Sequence, residues 1–485
     1  MRLHSLPLRA ASRLDLPTFV ERSFAALEPS IAFVPNWHYE HLCWALERVR
    51  QGKLRRLIIN VPPRSGKSII ANVAWPLFVM GHNPTRRIIC VSHTEDLARK
   101  FLVDRRFLAK QPWFKDLFPI FQLAGTRTRD LELVTTARGS CLATGVGGGI
   151  LGRGADIIVV DDPIKALDAV SQAERRRVAE FYDNTLLTRL NDKRAGAIVI
   201  IMQRLHQDDL VGHVLENDDW EVIALPAIAA NETVHPLSEV AGDVHVRQPG
   251  DLLHPQREPR DVLEQVRRSQ GSLTFQAQYQ QDPVPAGGNI IQRGWLRFYR
   301  DNESPEHFDR VVVSWDTAST LGEASDWSVG TVWGSVGLDY YLLDVVRNRV
   351  EAPNLRRQIV QLDQQWAADV TIVEDTELGR ALVSDLRETG ALRPLLVRPR
   401  FDKEARLLAQ SARFEAGQIH LPSEAEWLGD YIGELLAFPN GRHDDQVDST
   451  SQALHYLTAR SSVERPVVRR NIRRRTIVRA ALQPG

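Results

Sequence analysis

No stretch of this sequence approaches the roughly 18 consecutive apolar residues that a membrane-spanning helix needs. Its first residues carry arginines at 2, 9 and 13 but no apolar core of a secretory leader, so the expectation is a cytosolic protein with no membrane partner. Cysteine is scarce: Cys43, Cys90 and Cys141 are the three present, far apart and never as C-x-x-C. That excludes a disulfide framework and a structural zinc site as organising devices and suits a reduced compartment. Net charge is also missing, since 61 basic side chains offset 61 acidic ones. No global field then draws the chain to nucleic acid, and any such contact must be a local patch. At 485 residues the chain is too long for one ordinary core, so two or three domains are expected.

The motif that organises the rest lacks a glycine as well. Val61-Pro62-Pro63-Arg64-Ser65-Gly66-Lys67-Ser68 follows the apolar run Leu57 to Val61 and precedes an apolar segment from Ile69, so a buried strand turns here into a helix. A complete phosphate loop would have glycine at position 61. The remaining residues are those the chemistry needs: Gly66 lets the backbone approach a polyphosphate, Lys67 reaches its outer phosphates, and Ser68 ligates Mg²⁺ at a helix N-terminus. Downstream, Ile157 to Val160 form a β-run closed by Asp161 and Asp162. Carboxylates at the C-terminal end of a parallel strand project into the ligand crevice. Asp161 is expected to hold the metal and Asp162 to stand where a general base for the attacking water is wanted. Together the two motifs indicate an ATP-hydrolysing P-loop domain with Mg²⁺.

Residues 1–30 show no strong periodicity and read as a lead-in. From Trp37, residues His41, Leu42, Ala45, Leu46 and Val49 recur at helical spacing. Trp37 and His38 either pack on the sheet or flank an adenine. Strand and helix then alternate, Arg87 to Ser92 followed by a helix from about Thr94 to Ala109, which argues a mostly parallel sheet over an ATPase domain of residues 31–225. Gly145 to Gly154 is a glycine-rich run in which Arg153 is a candidate arginine finger, in its own subunit or a neighbour, with Arg64 as competitor. Ala197 to Met202 end in Gln203 and Arg204, which either sense the γ-phosphate or cap a helix. Five prolines between Pro226 and Pro259 break the pattern, so residues 226–288 read as a linker or helical subdomain, with Gly287 and Gly288 as the hinge.

A second α/β domain is expected over residues 289–459. Arg310 to Asp316 is a strand ending in a carboxylate, Trp327 to Ser335 and Asp339 to Val346 read as antiparallel neighbours, and Val370 to Glu374 is a second carboxylate-tipped strand. The segment G-R-H-D-D-Q-V-D opens the last helix with Asp444, Asp445 and Asp448 within one turn, Asp444 and Asp448 sharing a face. Clustered carboxylates stay ionised only when a cation neutralises them, and hard oxygen donors select Mg²⁺ or Mn²⁺. A pair of such ions clamps the attacking and leaving oxygens of a phosphodiester. The order strand-Asp, meander, strand-Glu, helix-Asp suits a ribonuclease-H-like nuclease whose ligands are drawn from Asp316, Glu374, Asp444, Asp445 and Asp448. Taken singly, these acids also have plain alternatives: Asp316 capping a turn, Glu374 paired with Arg380, and the last three favouring a helix start.

From about Trp37 to His455 the chain resembles the large terminase subunit of tailed bacteriophages and prophages, through P-P-R-S-G-K-S, the D-D-P strand, M-Q-R-L-H, Y-Q-Q-D-P, the Asp316 and Glu374 strands and H-D-D-Q-V-D, in that order. The resemblance implies an N-terminal ASCE-type ATPase that drives double-stranded DNA translocation and a C-terminal nuclease that cuts concatemers in the host cytoplasm. It implies the portal protein and a small terminase subunit as partners, a homo-oligomeric ring on the portal, and Asp445 as the favoured ligand of its cluster. Family loops often lack the first glycine and carry an arginine at the position of Arg64. Many members have glutamate where this chain has Asp162, which puts its role as base in question. Two rivals are a DNA translocase or helicase without nuclease activity and a decayed prophage protein that binds only DNA or portal. Residues 460–485 form a basic tail, expected to be disordered, with eight arginines against Glu464 and suited to DNA phosphates or an acidic partner surface.

Overall fold

The structure is a computed structural model that describes residues 12–125, 130–150, 152–283, 289–317, 327–399, 401–441, 443–460 and 470–471. It divides into two compact units, Met1–Pro285 and Ala286–Gly485. The hinge expected at Gly287 and Gly288, and all of the basic tail after Arg460 except Arg470 and Asn471, lie outside the described residues.

In the first unit, helices α1 (Leu16–Leu27) and α2 (Trp37–Arg50) precede strand β1 (Arg56–Asn60). After the loop, the chain winds as a π-helix over Ile69–Ala74 and continues as α3 (Trp75–His82) into β2 (Arg87–Ser92) and α4 (Glu95–Lys110). Strands β3 (Glu132–Val134), β4 (Ser140–Gly145), β5 (Ile157–Asp161), β6 (Ala197–Met202) and β7 (Glu221–Ala224) complete a seven-stranded sheet of order β3-β4-β2-β5-β6-β1-β7. Every pairing is parallel except β3 with β4 at the edge. β6 thus stands between the loop-bearing strand and the carboxylate strand, as the ASCE-type reading requires.

The continuous apolar runs are explained by two cores. Leu57, Ile59, Ile88, Cys90, Ile157, Val159, Val199 and Ile201 face one, and Ile58, Ile89, Val91, Ile158, Val160, Ile198 and Ile200 face the other. Period-2 alternation with both faces covered leaves no position for a polar residue until the strand ends.

Two segments differ from the sequence reading. The stretch that reads as a lead-in contains α1, whose Leu16, Phe19 and Val20 are buried in the first core, with the Asp15 carboxylate accepting the Thr18 N–H at 2.9 Å as a cap. Its apolar positions are too few to announce themselves alone, and Phe19 gains its environment from the rings of Phe78, Phe114 and Phe118. The proline-rich stretch folds back as a hairpin, β8 (Thr233–Pro236) with β9 (Val244–Arg247), against α2: His41 Nδ1 lies 2.7 Å from Pro236 O, and Trp37 stacks on His245 at 4.3 Å. Buried Arg247 ties the hairpin down by donating to Pro226 O and Asp251 O.

In the second unit, β10 (Arg297–Tyr299), β11 (His307–Phe308), β12 (Arg310–Asp316), β13 (Ser328–Val336), β14 (Asp339–Asn348), β15 (Val370–Glu374), β16 (Leu395–Val397) and β17 (Ile419–Pro422) build a sheet of order β10-β17-β14-β13-β12-β15-β16, with β11 outside it. β12, β13 and β14 form the expected antiparallel meander, and β15 joins β12 in parallel register. Helices α5 (Ala352–Trp366), α6 (Glu377–Glu388), α7 (Lys403–Glu415), α8 (Leu428–Ala437) and α9 (Asp445–Arg460) complete the unit, with two apolar cores among their side chains and the sheet's. Of the basic tail, Arg470–Asn471 pairs antiparallel with β11.

Candidate active sites

The first site lies at the carboxyl ends of β1 and β5. Arg64 and Gly66 both adopt left-handed backbone, with φ of 57° and 78°. A Cβ on Gly66 would lie 3.0 Å from the Tyr39 ring, so glycine is required here by conformation and by space. Ser68 Oγ donates to Asp161 Oδ1 at 3.1 Å, and Lys67 Nζ pairs with Asp162 Oδ2 at 2.9 Å. Burial pushes the Asp161 carboxyl up to about 7, and the Asp162 charge adds to the rise; Asn72, Lys67 and Ser68 act against it. Asp162 itself has φ 42° and accepts Gln203 N–H at 3.2 Å. The loop residues, both aspartates and Gln203 are therefore brought together.

Of the two residues before the loop that the sequence singled out, His38 meets the loop and Trp37 does not. Trp37 is engaged by the hairpin histidines, whereas Tyr39 lies against Gly66 and His38 Nε2 donates to Ser65 O at 3.2 Å. Burial lowers His38 to about 3, which keeps the ring neutral and fixes its tautomer through that bond. Gln203 and Arg204 also part company. Gln203 Oε1 is buried with no partner among the described residues, while Arg204 grips Asp209 at 3.0 Å and two loop carbonyls, and Asp209 caps the helix Leu210–Leu215. Arg204 thus takes the helix-capping alternative. The Y-Q-Q segment closes the same region: Gln281 accepts Arg204 N–H, and Gln280 bonds both N–H and O of Ile228.

Arg153 is corrected as a finger within its own subunit. The β4–β5 connection carries the chain back to the N-terminal ends of the strands, where Asp156 N–H bonds Arg87 O. There Arg153 makes a bidentate pair with Glu132, both bonds 3.0 Å, on a cavity of about 370 Å³ that Arg87 and Arg138 also line. Ser68 and Asp161 are at the other end of the sheet, so Arg153 does not face them. Arg64, exposed on the loop, does lie at that end.

The second site gathers at the ends of β12 and β15. Arg406 of α7 lies 2.8 Å from Asp448 and 3.6 Å from Glu374, and Lys403 bridges Asp444 and Asp448 at 2.7 Å each. Burial holds Asp316 well above the ordinary carboxylate range, with Asp448 and Glu374 the next causes. Burial also pushes Asp448 up to about 6 against the pull of Arg406 and Lys403. The charges acting most strongly on Asp445 after burial are Glu434 and Asp444. Arg406 thus gathers Asp448 and Glu374, the charges of both act on Asp316, and Asp444 lies beside Asp448 on Lys403. Arg380, the alternative partner for Glu374, pairs instead with Asp375 at 2.6 Å. Among the described residues no three His, Cys, Asp or Glu side chains are drawn together closely enough to hold a metal ion. Lys403 and Arg406 supply the neutralising charge in the arrangement seen, while the all-oxygen donor set fits a hard divalent cation.

What brings α9 to β12 is a polar seam. Ser449 Oγ donates to Ser314 O at 2.8 Å and meets Thr331 Oγ1 at 2.8 Å, and Gln452 Nε2 donates to Ser314 Oγ at 3.1 Å. Small hydroxyls let the helix approach the strand closely, so Asp448, one residue before Ser449, reaches the strand end. At β15, a Cβ on Gly379 would lie 2.2 Å from Glu374 O, which is why α6 can start so near that carboxylate. Lys403 and Arg406 were missed because one basic residue per turn at a helix start reads as a solvated face.

Residues 313–457 match the family model of the terminase RNaseH-like domain. The fold is similar to that of the large terminase from a thermophilic bacteriophage in complex with ADP, with a TM-score of 0.51 at 11% identity over 85% of this chain and 98% of that one. A second crystal form of the same phage terminase gives 0.51 at 10% identity over the same shares. The large terminase nuclease from thermophilic phage G20c with bound cobalt matches at a TM-score of 0.28 and 16% identity, over 35% of this chain and 98% of its own. No curated protein matches the sequence. The chain therefore shares its fold with large terminase structures, and its residues 313–457 match the terminase RNaseH-like domain.

Proposed function

We propose that this protein is a packaging motor and nuclease: it hydrolyses ATP to translocate double-stranded DNA into a procapsid and cuts concatemeric DNA at a metal-dependent site. The observation that carries the reading is the presence of two acid-bearing sites in one chain, Lys67 and Ser68 facing Asp162 and Asp161 in one unit, and Glu374 and Asp448 held by Arg406, with their charges acting on Asp316, in the other.

At the first site, Ser65, Gly66 and Lys67 cradle the phosphates of ATP, and Ser68 with Asp161 would hold Mg²⁺. A polyphosphate on the loop competes with Asp162 for Lys67, which frees the Asp162 carboxylate to take a proton from water. Its short side chain is offset by the left-handed backbone at that residue, which re-aims the carboxylate. Gln203, with its free acceptor, is placed to sense the outer phosphate, and Arg64 is the arginine available in cis. Arg153 remains a candidate in trans, toward a neighbour in a homo-oligomeric ring.

At the second site, Asp316, Glu374 and Asp448, with Asp444 and Asp445 beside them, would hold Mg²⁺ or Mn²⁺, alone or as a pair. When bound, such ions stabilise the attacking and leaving oxygens of a phosphodiester. Lys403 and Arg406 orient Asp448 and Glu374 from the α7 side. Double-stranded DNA, the portal protein and a small terminase subunit are the partners this reading implies, in the bacterial cytosol. The test is linearisation of supercoiled DNA with and without Mg²⁺, Mn²⁺ and ATP. Cutting that needs the divalent ion and vanishes in Asp316→Asn is expected. An intact ATPase with no metal-dependent cutting would instead overturn the nuclease half of the reading and favour a translocase without nuclease activity.

A further inference from the structure

We propose that Asn72 and Arg105 are a positioning pair for the first site: buried Arg105 fixes the orientation of the Asn72 amide, and that amide fixes the Asp161 carboxylate for its cation. The inference rests on the ATP-site reading given above. Asn72 lies inside the π-helical turns Ile69–Ala74, where Trp75 N–H bonds back to Ile70 O. Such widened turns displace side chains from the ordinary helical face and are frequent at functional sites. Here Asn72 Nδ2 donates to Asp161 Oδ2 at 3.0 Å. On the other side of the amide, Asn72 Oδ1 accepts from Arg105 Nη1 at 2.9 Å, and the backbone carbonyl of Asn72 accepts from the same nitrogen.

Arg105 comes from α4 and is 1% exposed. Among the described residues its remaining hydrogen-bond contact is Cys90 Sγ at 3.1 Å, its Nε and Nη2 find no acceptor, and no carboxylate pairs with it. A buried, incompletely paired guanidinium is costly, and an apolar side chain of similar volume would pack as well or better. What the charge does is set polarity. A guanidinium has donors only, so the amide oxygen must face Arg105 and the amide donors must face Asp161. A flipped amide would set donor against donor on one side and oxygen against carboxylate on the other. Asp161 thus receives one donor from Ser68 and one from Asn72, which leaves both its oxygens oriented.

The test uses the full-length chain and the Mg²⁺ dependence of binding of a fluorescent ADP analogue, so that it reads the cation without turnover. Asn72→Leu and Arg105→Met are each expected to raise the half-saturating Mg²⁺ concentration by about 10–100-fold, the usual effect of losing a group that orients a metal ligand. Affinity for the analogue in EDTA should stay at the wild-type level, because the loop and Lys67 are untouched. The double variant should be no worse than either single one, since both act through one contact. Wild-type Mg²⁺ dependence in folded Arg105→Met overturns the pair, whatever its thermal midpoint; if that variant does not fold, unchanged Mg²⁺ dependence in Asn72→Leu does so. A wild-type protein that binds the analogue with Mg²⁺ yet hydrolyses no ATP defeats the hydrolysis reading alone, and one that binds no analogue defeats both.

Discussion

Lys67 and Asp162 are 2.9 Å apart with little exposure of the lysine, so replacing either charge leaves the other short of its partner. Lys67→Ala is expected to lower ATP turnover by on the order of 10²–10³-fold, the loss typical when a group aimed at developing charge is removed. Phosphate release by the purified variant measures it, and turnover at the wild-type rate would refute the loop assignment. The acids of the second site make a pH prediction. Asp448 is raised from 3.8 to about 6 in the folded protein, and Asp316 is raised in the same direction. A raised carboxylate binds its proton more tightly folded than unfolded, so this stabilisation is complete below about 3.8 and is lost as pH rises through about 6. For Asp448 alone the effect is on the order of 3 kcal/mol. The thermal midpoint of the fragment from about residue 289 onward should fall across that window and be restored by Mg²⁺ above pH 7. A midpoint that instead climbs steadily without metal would contradict the acid cluster.

Among elements, the contact between α9 and β12 decides whether the second site exists. Ser449 supplies hydrogen bonds across 118 and 135 residues of sequence. Ser449→Ala leaves Ser314 O and the Thr331 hydroxyl each one partner short and should cost about 1–3 kcal/mol. Chemical denaturation of the same fragment would show it. Gly330 is equally constrained, since a Cβ there would lie 2.8 Å from the Trp315 ring, which is wholly buried. Gly330→Ala is expected to cost about 1–3 kcal/mol by overpacking. A cost near zero would mean that the ring can move aside.

For the whole molecule, the question is whether the two chemistries are separable and whether subunits share a site. The fragment from about residue 289 onward should cut DNA with a divalent ion and without ATP, and the full chain should keep that cutting when Lys67→Ala removes its ATP turnover. Arg153 faces away from its own loop, so a part for it in hydrolysis would require a neighbour. Mixing Arg153→Ala with Lys67→Ala protein should restore part of the ATPase activity, because one interface in the mixture combines an intact loop with an intact arginine. Absence of rescue at every ratio, with loss of activity in Arg64→Ala, would assign the finger to Arg64.

Both acid-tipped strand types were legible in sequence because burial on two faces enforces a run of apolar or β-branched residues, so the carboxylates that end Ile157–Val160 and Val370–Val373 mark the strands' exit into a crevice. The loop Arg64 to Ser68 was legible for a similar reason, since Gly66 and the residues after it are dictated by local backbone geometry. Periodicity and turn chemistry act over short spans, and the sequence by itself determines them. Which side chains meet across elements is another matter. Tyr39 against Gly66, Asn72 and Arg105 behind Asp161, and Lys403 and Arg406 on Asp448 leave no periodic trace, because one polar residue on a helix serves a solvated face and a buried pairing equally well. Arg153 shows the same limit from the other side: its glycine-rich setting was visible, but the return of the chain to the opposite end of the sheet was not. Those placements depend on how far each connection carries the chain before it rejoins the sheet, and only the folded packing of helix on strand decides that.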